Sequence, residues 1–179
     1  MFRSLLWSLL LAITPLAVHA AAPAEAALAG LPNASFPAPH RVASGRLQAG
    51  DVAALKAAGI AQVIDLSVDS ETPRFDEAAA MRAAGIGYHN LPIHGAADLT
   101  RHNVAQFDRL LREAGVRETL VHCASSNRVG AMIALRAALI GGKSSDAALA
   151  EGRRWGMKSL EPAVRERLQA WSGGKEHGR

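Results

Sequence analysis

A pattern that occurs three times constrains the fold of this chain more than any other feature: a helix end, a glycine, and then an apolar strand. Residues 53–60 read Ala-Ala-Leu-Lys-Ala-Ala-Gly-Ile, and residues 79–86 repeat that string with Met-Arg in place of Leu-Lys. A looser copy, Leu-Arg-Glu-Ala-Gly-Val, occupies residues 111–116. A glycine placed directly after a helix readily adopts the left-handed backbone conformation that ends it.

Each glycine is followed by the start of a predicted strand. The runs 61–66 and 118–122 are largely apolar, as expected for strands that are buried in a parallel sheet. The predicted strands span 61–67, 87–93 and 118–122. Helices that alternate with such strands pack on the two sides of the sheet that they connect. The sequence therefore predicts an α/β fold, a three-layer sandwich with a mostly parallel central sheet.

The predicted helices span 50–58, 75–84, 101–114, 129–140, 145–154 and 160–171. The third of them has the clearest signals, because Thr100 is a suitable N-cap residue directly before it. Its apolar face is formed by Val104, Phe107, Leu110, Leu111 and Ala114.

The first twenty residues are typical of a secretory signal peptide. Arg3 supplies a positive charge, Leu5 to Leu16 form a short apolar stretch, and Val18-His19-Ala20 ends in small residues. We expect cleavage after Ala20 and a periplasmic or secreted protein. The predicted organisation is a signal peptide over 1–20, an extended Ala/Pro-rich segment over 21–39, an α/β domain over 40–172 and a flexible tail over 173–179.

Charge and motifs exclude several classes of function. The net charge is only +4 and is not concentrated in a Lys/Arg run, which argues against nucleic acid and favours small anionic ligands. The histidines lack the spacing of metal ligands, and no Walker-type nucleotide-binding loop or dinucleotide fingerprint is present. We therefore expect no metal, no cofactor, and no stable membrane association after signal cleavage.

The only cysteine of the chain lies in a strand–loop–helix segment suited to reactive chemistry. A β-type run ends at His122-Cys123, a polar turn and Arg128 follow, and a helix begins at Val129. The turn amides and the helix N-terminus favour negative charge, which promotes ionisation of the thiol. Arg128 has the planar fork that binds a tetrahedral oxyanion. Cys123 is thus the candidate nucleophile, and the alternative is a buried, inert cysteine.

Ligands of open α/β sheets bind at the carboxyl ends of the strands, where Cys123 lies. The loops over 67–74 and 93–99 are predicted to share that edge. They contain the other candidate residues, which are Asp69, Glu71, Arg74, His94 and Asp98.

Residues 40–141 resemble the β-lactamase hydrolase-like phosphatases, a branch of the cysteine-dependent dual-specificity phosphatase fold. The matching stretches are 44–47, 57–60, 63–66, 87–88, 91–93 and 122–131. The last of them, His-Cys-Ala-Ser-Ser-Asn-Arg-Val-Gly-Ala, is the most specific. The resemblance implies a three-layer α/β fold and hydrolysis of a phosphorylated substrate through a phosphocysteine intermediate.

The resemblance also implies roles for individual residues. Cys123 would be the nucleophile, Arg128 would hold the phosphate, and His122 would support the loop and tune the thiol. The amides of the loop would bind the phosphate oxygens; they belong to Ala124, Ser125, Ser126, Asn127 and Arg128. Asp98 best matches the position of the general acid, which protonates the leaving group. His94 is the weaker alternative donor, and a helix N-terminal carboxylate is the structural interpretation of Asp98.

Two departures from the usual phosphatase loop keep other functions open. Four residues separate Cys123 from Arg128, whereas tyrosine and dual-specificity phosphatases have five and rhodanese-type sulfurtransferases have four. Ser126 stands where glycine is common, so a positive φ there would strain the backbone. The alternatives are a sulfurtransferase or persulfide carrier that uses the same cysteine, and a catalytically weak oxyanion-binding module.

Overall fold

Five strands form the central sheet of the computed structural model, which describes residues 21–173. They are β1 (Ser35–Ala38), β2 (Arg41–Ser44), β3 (Gln62–Asp65), β4 (Gly87–Asn90) and β5 (Thr119–His122), in the spatial order β1-β2-β5-β3-β4. β1 is antiparallel to β2, and the other pairings are parallel. The predicted signal peptide and all of the predicted tail except Gly173 lie outside the described residues.

Seven α-helices occur within residues 21–173. They are α1 (Ala21–Leu28), α2 (Val52–Ala57), α3 (Glu77–Ala84), α4 (Arg101–Ala114), α5 (Asn127–Leu139), α6 (Ser145–Arg154) and α7 (Glu161–Gly173). Three short 3₁₀ turns lie at Ala49–Asp51, Asp69–Glu71 and Ala96–Asp98. None of the helices in this part of the chain is both long and apolar enough to cross a membrane.

The helices cover both faces of the sheet, because side chains along a strand alternate between the two faces. One register row packs with α1, α2 and α3, and it consists of Val42, Leu120 and Val63. The next row packs with α4, α5, α6 and α7, and it consists of Ala43, Val121 and Ile64. The predicted three-layer α/β sandwich with a mostly parallel sheet is confirmed.

The helix–glycine–strand pattern forms as its local chemistry requires. Gly59, Gly85 and Gly115 each have positive φ, at 74°, 75° and 58°. Thr100 caps α4, where its side chain accepts a hydrogen bond from the backbone N–H of Asn103 at 3.1 Å. These turn and cap signals act over a few residues, which is why they can be read from the sequence.

The prediction of an extended segment over 21–39 is wrong for residues 21–28, which are helical, and it does not include the strand pairing of residues 35–38. Residues 21–28 form α1, whose Leu28 is fully buried against the α2–α3 side of the sheet. Residues 35–38 pair as β1 at the sheet edge, where Pro37 is tolerated because an edge strand does not need every N–H. Alanine-rich sequence favours a helix, and burial of Leu28 stabilises it.

Candidate active site

The loop from Cys123 to Arg128 lies at the carboxyl ends of the parallel strands. Four residues at these ends share one register row, and they are Ser44, His122, Asp65 and Asn90. β5 lies between β2 and β3 in the sheet, so the loops that follow those two strands flank the cysteine loop. The loops over 67–74 and 93–99 follow β3 and β4, and both therefore lie at this edge, as predicted.

Cys123 is the first residue after β5, and its side chain has no exposed surface. It packs on the α4–α7 side of the sheet, while α5 begins four residues later at Asn127. The first turn of α5 contributes unpaired amides and the positive end of the helix dipole.

The backbone of Ser126 has a positive φ, the conformation that strains a residue other than glycine. Its φ is 63° and its ψ is −6°, in the left-handed region. This conformation costs about 1–2 kcal/mol for a residue other than glycine. The site accommodates it because Gly156 leaves the necessary space: a Cβ at Gly156 would lie 2.5 Å from that of Ser126. The Ser126 hydroxyl donates to the carbonyl of Asn33 at 3.3 Å.

Neighbouring segments hold the loop in place. The N–H of Arg46 donates to the carbonyl of Ala124 at 3.3 Å, and Gly45 and Ser125 form an isolated β-bridge. The side chain of Asn127 is committed elsewhere, since its Oδ1 accepts from the N–H of Lys158 at 2.7 Å. Only the backbone of Asn127 is therefore available for the predicted role in anion binding.

Arg128 is fixed by an acid partner from the loop after β3. Its Nη1 and Nη2 donate to the two carboxylate oxygens of Glu71 at 2.7 and 2.6 Å. Nη1 also donates to the carbonyl of Ile93 at 2.8 Å. A guanidinium has five N–H donors, so Nε–H and one Nη2–H remain free of any carboxylate or carbonyl among the described residues. The sequence placed Glu71 at this edge without assigning it this partner.

Glu71 and Arg128 both remain charged in the folded protein. The hydrogen bond from Arg128 holds the pKa of Glu71 below its ordinary value, so Glu71 is ionised at neutral pH. Burial of Arg128 alone would lower its pKa, but the hydrogen bond with Glu71 and the proximity of Cys123 outweigh burial and raise it. A fixed, fully charged guanidinium beside the cysteine loop is suited to binding an oxyanion.

His122 faces away from Cys123 because successive residues of a strand point to opposite faces. Its Nε2 donates to Oε1 of Glu77 on α3 at 2.7 Å and lies 3.4 Å from Oδ1 of Asp65. His122 is 1% exposed, so its side chain supports the strand end and does not reach a ligand in this state. Two buried atoms of the cluster, Nδ1 of His122 and Oε2 of Glu77, have no partner among the described residues.

No sequence signal predicts the contact between Glu77 and His122, since a glutamate in the first turn of a helix is expected from the dipole alone. Asp65, Glu77 and His122 each offer one possible metal-ligand atom, and these atoms lie within 4.8 Å of one another. Hydrogen bonds already explain the geometry of Asp65, which accepts from the hydroxyl of Tyr88 at 2.9 Å and from the N–H of Ser67 at 2.7 Å.

Asp98 ends the 3₁₀ turn in the loop after β4, and it is paired with the other candidate acid. Its Oδ2 accepts from the backbone N–H of His94 at 2.7 Å and from Nδ1 of His94 at 2.8 Å. The backbone hydrogen bond, with the imidazole bond second, lowers the pKa of Asp98. His94 directly follows Ile93, whose carbonyl accepts from Arg128, so the pair lies one residue from an Arg128 contact.

No protein-family model and no curated protein matches the sequence. Solved structures do match. A DUF442 protein from Shewanella putrefaciens CN-32, provisionally assigned as a phosphatase, is 24% identical with a TM-score of 0.64; the match covers 82% of this chain and 97% of that one.

A provisionally assigned phosphatase from Neisseria meningitidis Z2491 is 26% identical with a TM-score of 0.63, over 75% of this chain and 94% of the other. TpbA from P. aeruginosa, solved as a cysteine-to-serine variant in complex with phosphotyrosine, is 23% identical with a TM-score of 0.60; the match covers 76% of this chain and 82% of TpbA. These neighbours share the fold of the cysteine-dependent tyrosine and dual-specificity phosphatases, which is therefore the fold of this chain.

Proposed function

We propose that the chain is a cysteine-dependent phosphatase of the β-lactamase hydrolase-like branch, which hydrolyses phosphomonoesters through a phosphocysteine intermediate. The observation that carries this proposal is the Glu71-fixed guanidinium of Arg128 beside the Cys123 loop. An oxyanion there would meet Arg128, the loop amides and the positive end of α5 together. Phosphotyrosine bound to TpbA, a protein of the same fold, supports a phosphorylated substrate.

In the first step of the proposed reaction, the Cys123 thiolate attacks phosphorus. An S–P bond forms while the P–O bond to the alcohol breaks, and the leaving oxygen takes the electron pair and a proton. The charge on the equatorial phosphate oxygens is stabilised by Arg128 and the loop amides. In the second step, water attacks phosphorus, the S–P bond breaks, and inorganic phosphate and the thiolate are released.

The leaving-group proton comes from Asp98 or from His94 held by Asp98. The lowered pKa of Asp98 favours His94, because an aspartate that is ionised at neutral pH has no proton to give. In that arrangement Asp98 orients the imidazole, because its Oδ2 accepts a hydrogen bond from Nδ1 of His94.

The four-residue spacing between Cys123 and Arg128 favours a second candidate function, sulfur transfer. In that reaction the Cys123 thiolate attacks the outer sulfur of thiosulfate, an S–S bond forms, and sulfite leaves. Cyanide then removes the added sulfur as thiocyanate and restores the thiolate. This chemistry needs the same reactive thiol and does not need a general acid.

One pair of assays separates the candidates: an aryl phosphate, and separately thiosulfate with cyanide. We expect phosphate release that Cys123→Ser abolishes. Arg128→Lys should cost about 2–4 kcal/mol of transition-state stabilisation, because lysine cannot form two parallel hydrogen bonds. Arg136→Lys is the matched control, since Arg136 on the same helix contacts Asp108 of α4 instead.

Thiocyanate formation, with one extra sulfur on Cys123, would instead establish the sulfurtransferase. If the protein turns over neither substrate, the catalytically weak oxyanion-binding module is the remaining alternative.

Export is a separate proposal that rests on the sequence of residues 1–20. The positive residue, the short apolar stretch and the small residues before position 21 support it. Expression of the full chain in a bacterial host should yield a periplasmic protein whose first residue is Ala21. A protein that stays in the cytoplasm with Met1 intact would contradict the proposal.

A further inference from the structure

A buried cluster of one imidazole and two carboxylates lies on the side of the sheet that faces away from Cys123. Asp65 ends β3, His122 ends β5, and Glu77 is the first residue of α3. Nε2 of His122 lies 2.7 Å from Oε1 of Glu77 and 3.4 Å from Oδ1 of Asp65. The proposed phosphatase reaction uses neither carboxylate, so their close approach needs a separate explanation.

The two carboxylates of the cluster have too few cationic partners. The side chains of Asp65 and Glu77 are 8% and 4% exposed. Among the described residues, the imidazole of His122 is the only basic group at ion-pair distance from either carboxylate. Buried carboxylates are costly unless they pair with a cation or coordinate a metal. An imidazole carries at most one positive charge, whereas a divalent cation would neutralise both carboxylates.

Glu77 also has a carboxylate oxygen without a donor. Its Oε2 is buried and forms no hydrogen bond within residues 21–173. Asp65 differs, because the hydroxyl of Tyr88 and the N–H of Ser67 already donate to its two oxygens. The partner that the cluster lacks therefore belongs beside Glu77, where a cation would supply it.

A cavity connects this cluster to solvent. Its volume is about 810 Å³, and both carboxylates of the cluster line it. Asp69 and Asp76 line it too, and Arg74 is its only cationic lining residue in the part of the chain that the structure describes. This excess of carboxylates attracts cations and gives an ion a path to the cluster.

The donor atoms of the cluster suit a transition metal. One imidazole nitrogen with two carboxylate oxygens is a donor set typical of Zn²⁺ and related ions, whereas Mg²⁺ and Ca²⁺ prefer oxygen alone. In a tetrahedral site with bonds of about 2.0–2.1 Å, ligand atoms lie about 3.3 Å apart. The distances from Nε2 of His122, 2.7 and 3.4 Å, lie on either side of that value. The hydrogen bonds to Asp65 would keep this ligand oriented.

We infer that Asp65, Glu77 and His122 bind one divalent transition metal ion, with Zn²⁺ the best fit, and that water from the cavity completes the coordination. Nε2 of His122 coordinates the ion, and its proton moves to Nδ1, which has no partner among the described residues. The spacing of the histidines predicted no metal, but these ligands come from three elements that only the fold brings together. The inference does not depend on the phosphatase function.

Isothermal titration of the purified, metal-free protein with Zn²⁺ tests this inference. We expect one bound ion per chain and much weaker binding of Mg²⁺. Glu77→Gln and His122→Gln should each weaken Zn²⁺ binding by more than about 10-fold, since even an outer hydrogen-bond partner of a ligand is worth that much. Asp98→Asn is the matched control, because Asp98 also accepts from a histidine, but in the more exposed pair with His94. It should bind Zn²⁺ as wild type does.

Cys123 is the main competing ligand, because thiolates also bind Zn²⁺. Co²⁺ in place of Zn²⁺ separates the two sites: a sulfur-to-metal charge-transfer band that Cys123→Ser removes would place the ion at the cysteine and overturn the inference. No Zn²⁺ binding, or binding that Glu77→Gln and His122→Gln both retain, also overturns it. If either variant fails to fold, anomalous scattering from wild-type crystals soaked in Zn²⁺ decides. A peak between the three side chains supports the inference, and a peak elsewhere or none overturns it.

Discussion

At the scale of single residues, buried or half-buried carboxylates set the state of the site. Glu71 holds Arg128, Glu77 holds His122, and Asp98 holds His94. Each of these acids fixes the orientation of its partner through a hydrogen bond. Arg128, His122 and His94 therefore depend on neighbouring carboxylates for their positions.

The proton donor can be identified from pH profiles with an alkyl phosphate, whose leaving group needs a proton. If His94 donates, activity falls as pH rises and the imidazole loses its proton, and His94→Gln removes this alkaline limb with a loss of about 10²–10⁴ in rate. Asp98→Asn should lower the rate and keep the limb, because His94 loses the carboxylate that orients it.

An activated aryl phosphate is the control substrate for these variants, since its leaving group departs without protonation. An alkaline limb that survives in His94→Gln and disappears in Asp98→Asn would identify Asp98 as the donor.

The lowered pKa of Glu71 makes a prediction for stability. A carboxylate whose pKa is depressed by folding stabilises the native state above its unfolded pKa, about 4.3, and that contribution is lost as pH falls through the folded value. At neutral pH, Glu71→Gln should destabilise the protein by about 1–3 kcal/mol, because Arg128 keeps a buried charge without its partner. In urea unfolding, the difference between wild type and variant should shrink as the pH falls; a constant difference would contradict the linkage.

At the scale of elements, the position of Arg128 depends on how α5 packs against α6. A Cβ at Gly130 would collide with the carbonyl of Gly152 on α6 and with the backbone N of Met157. Both obstacles are backbone atoms, which cannot swing aside as a flexible side chain can. The close approach of these helices, two residues from Arg128, therefore requires glycine.

Gly130→Ala should destabilise the protein by about 1–3 kcal/mol in urea unfolding, the usual cost of overpacking. Turnover should also fall, because a shift of α5 moves Arg128. Gly50→Ala is the control, since a methyl there meets no atom within 4 Å. Equal stability of the Gly130→Ala variant and wild type would show that the two helices can separate without cost.

At the scale of the whole molecule, the site joins a helix and two loops that are far apart in the sequence. Arg128 starts on α5, its partner Glu71 follows β3, and the carbonyl of Ile93 follows β4. An oxyanion that binds there binds only the folded chain, so it should stabilise the whole fold by mass action.

Vanadate or phosphate should therefore raise the free energy of unfolding by about 2.7 kcal/mol at a hundred times the dissociation constant. Thermal unfolding at several oxyanion concentrations measures this linkage. Arg128→Gln should lose most of the effect, whereas Arg136→Lys should keep it. Equal stabilisation of wild type and Arg128→Gln would place the anion elsewhere on the surface.

The sequence by itself determined the features that depend on neighbours along the chain. Helix ends at Gly59 and Gly85, the Thr100 cap, and the strand that leads into Cys123 all follow from turn, capping and hydropathy rules that act over a few residues. The α/β class follows from their order. The candidate residues at the sheet edge follow from topology.

Only the tertiary structure decided which of those residues meet. Glu71 and Arg128 are separated by 57 positions, and His122 and Glu77 by 45. No local pattern distinguishes Glu71 from Asp69 as the partner of an arginine. The choice depends on the order β2-β5-β3 and on the register of those strands. The same holds for β1 and for α1, because each is stabilised by contacts that exist only after the sheet has formed.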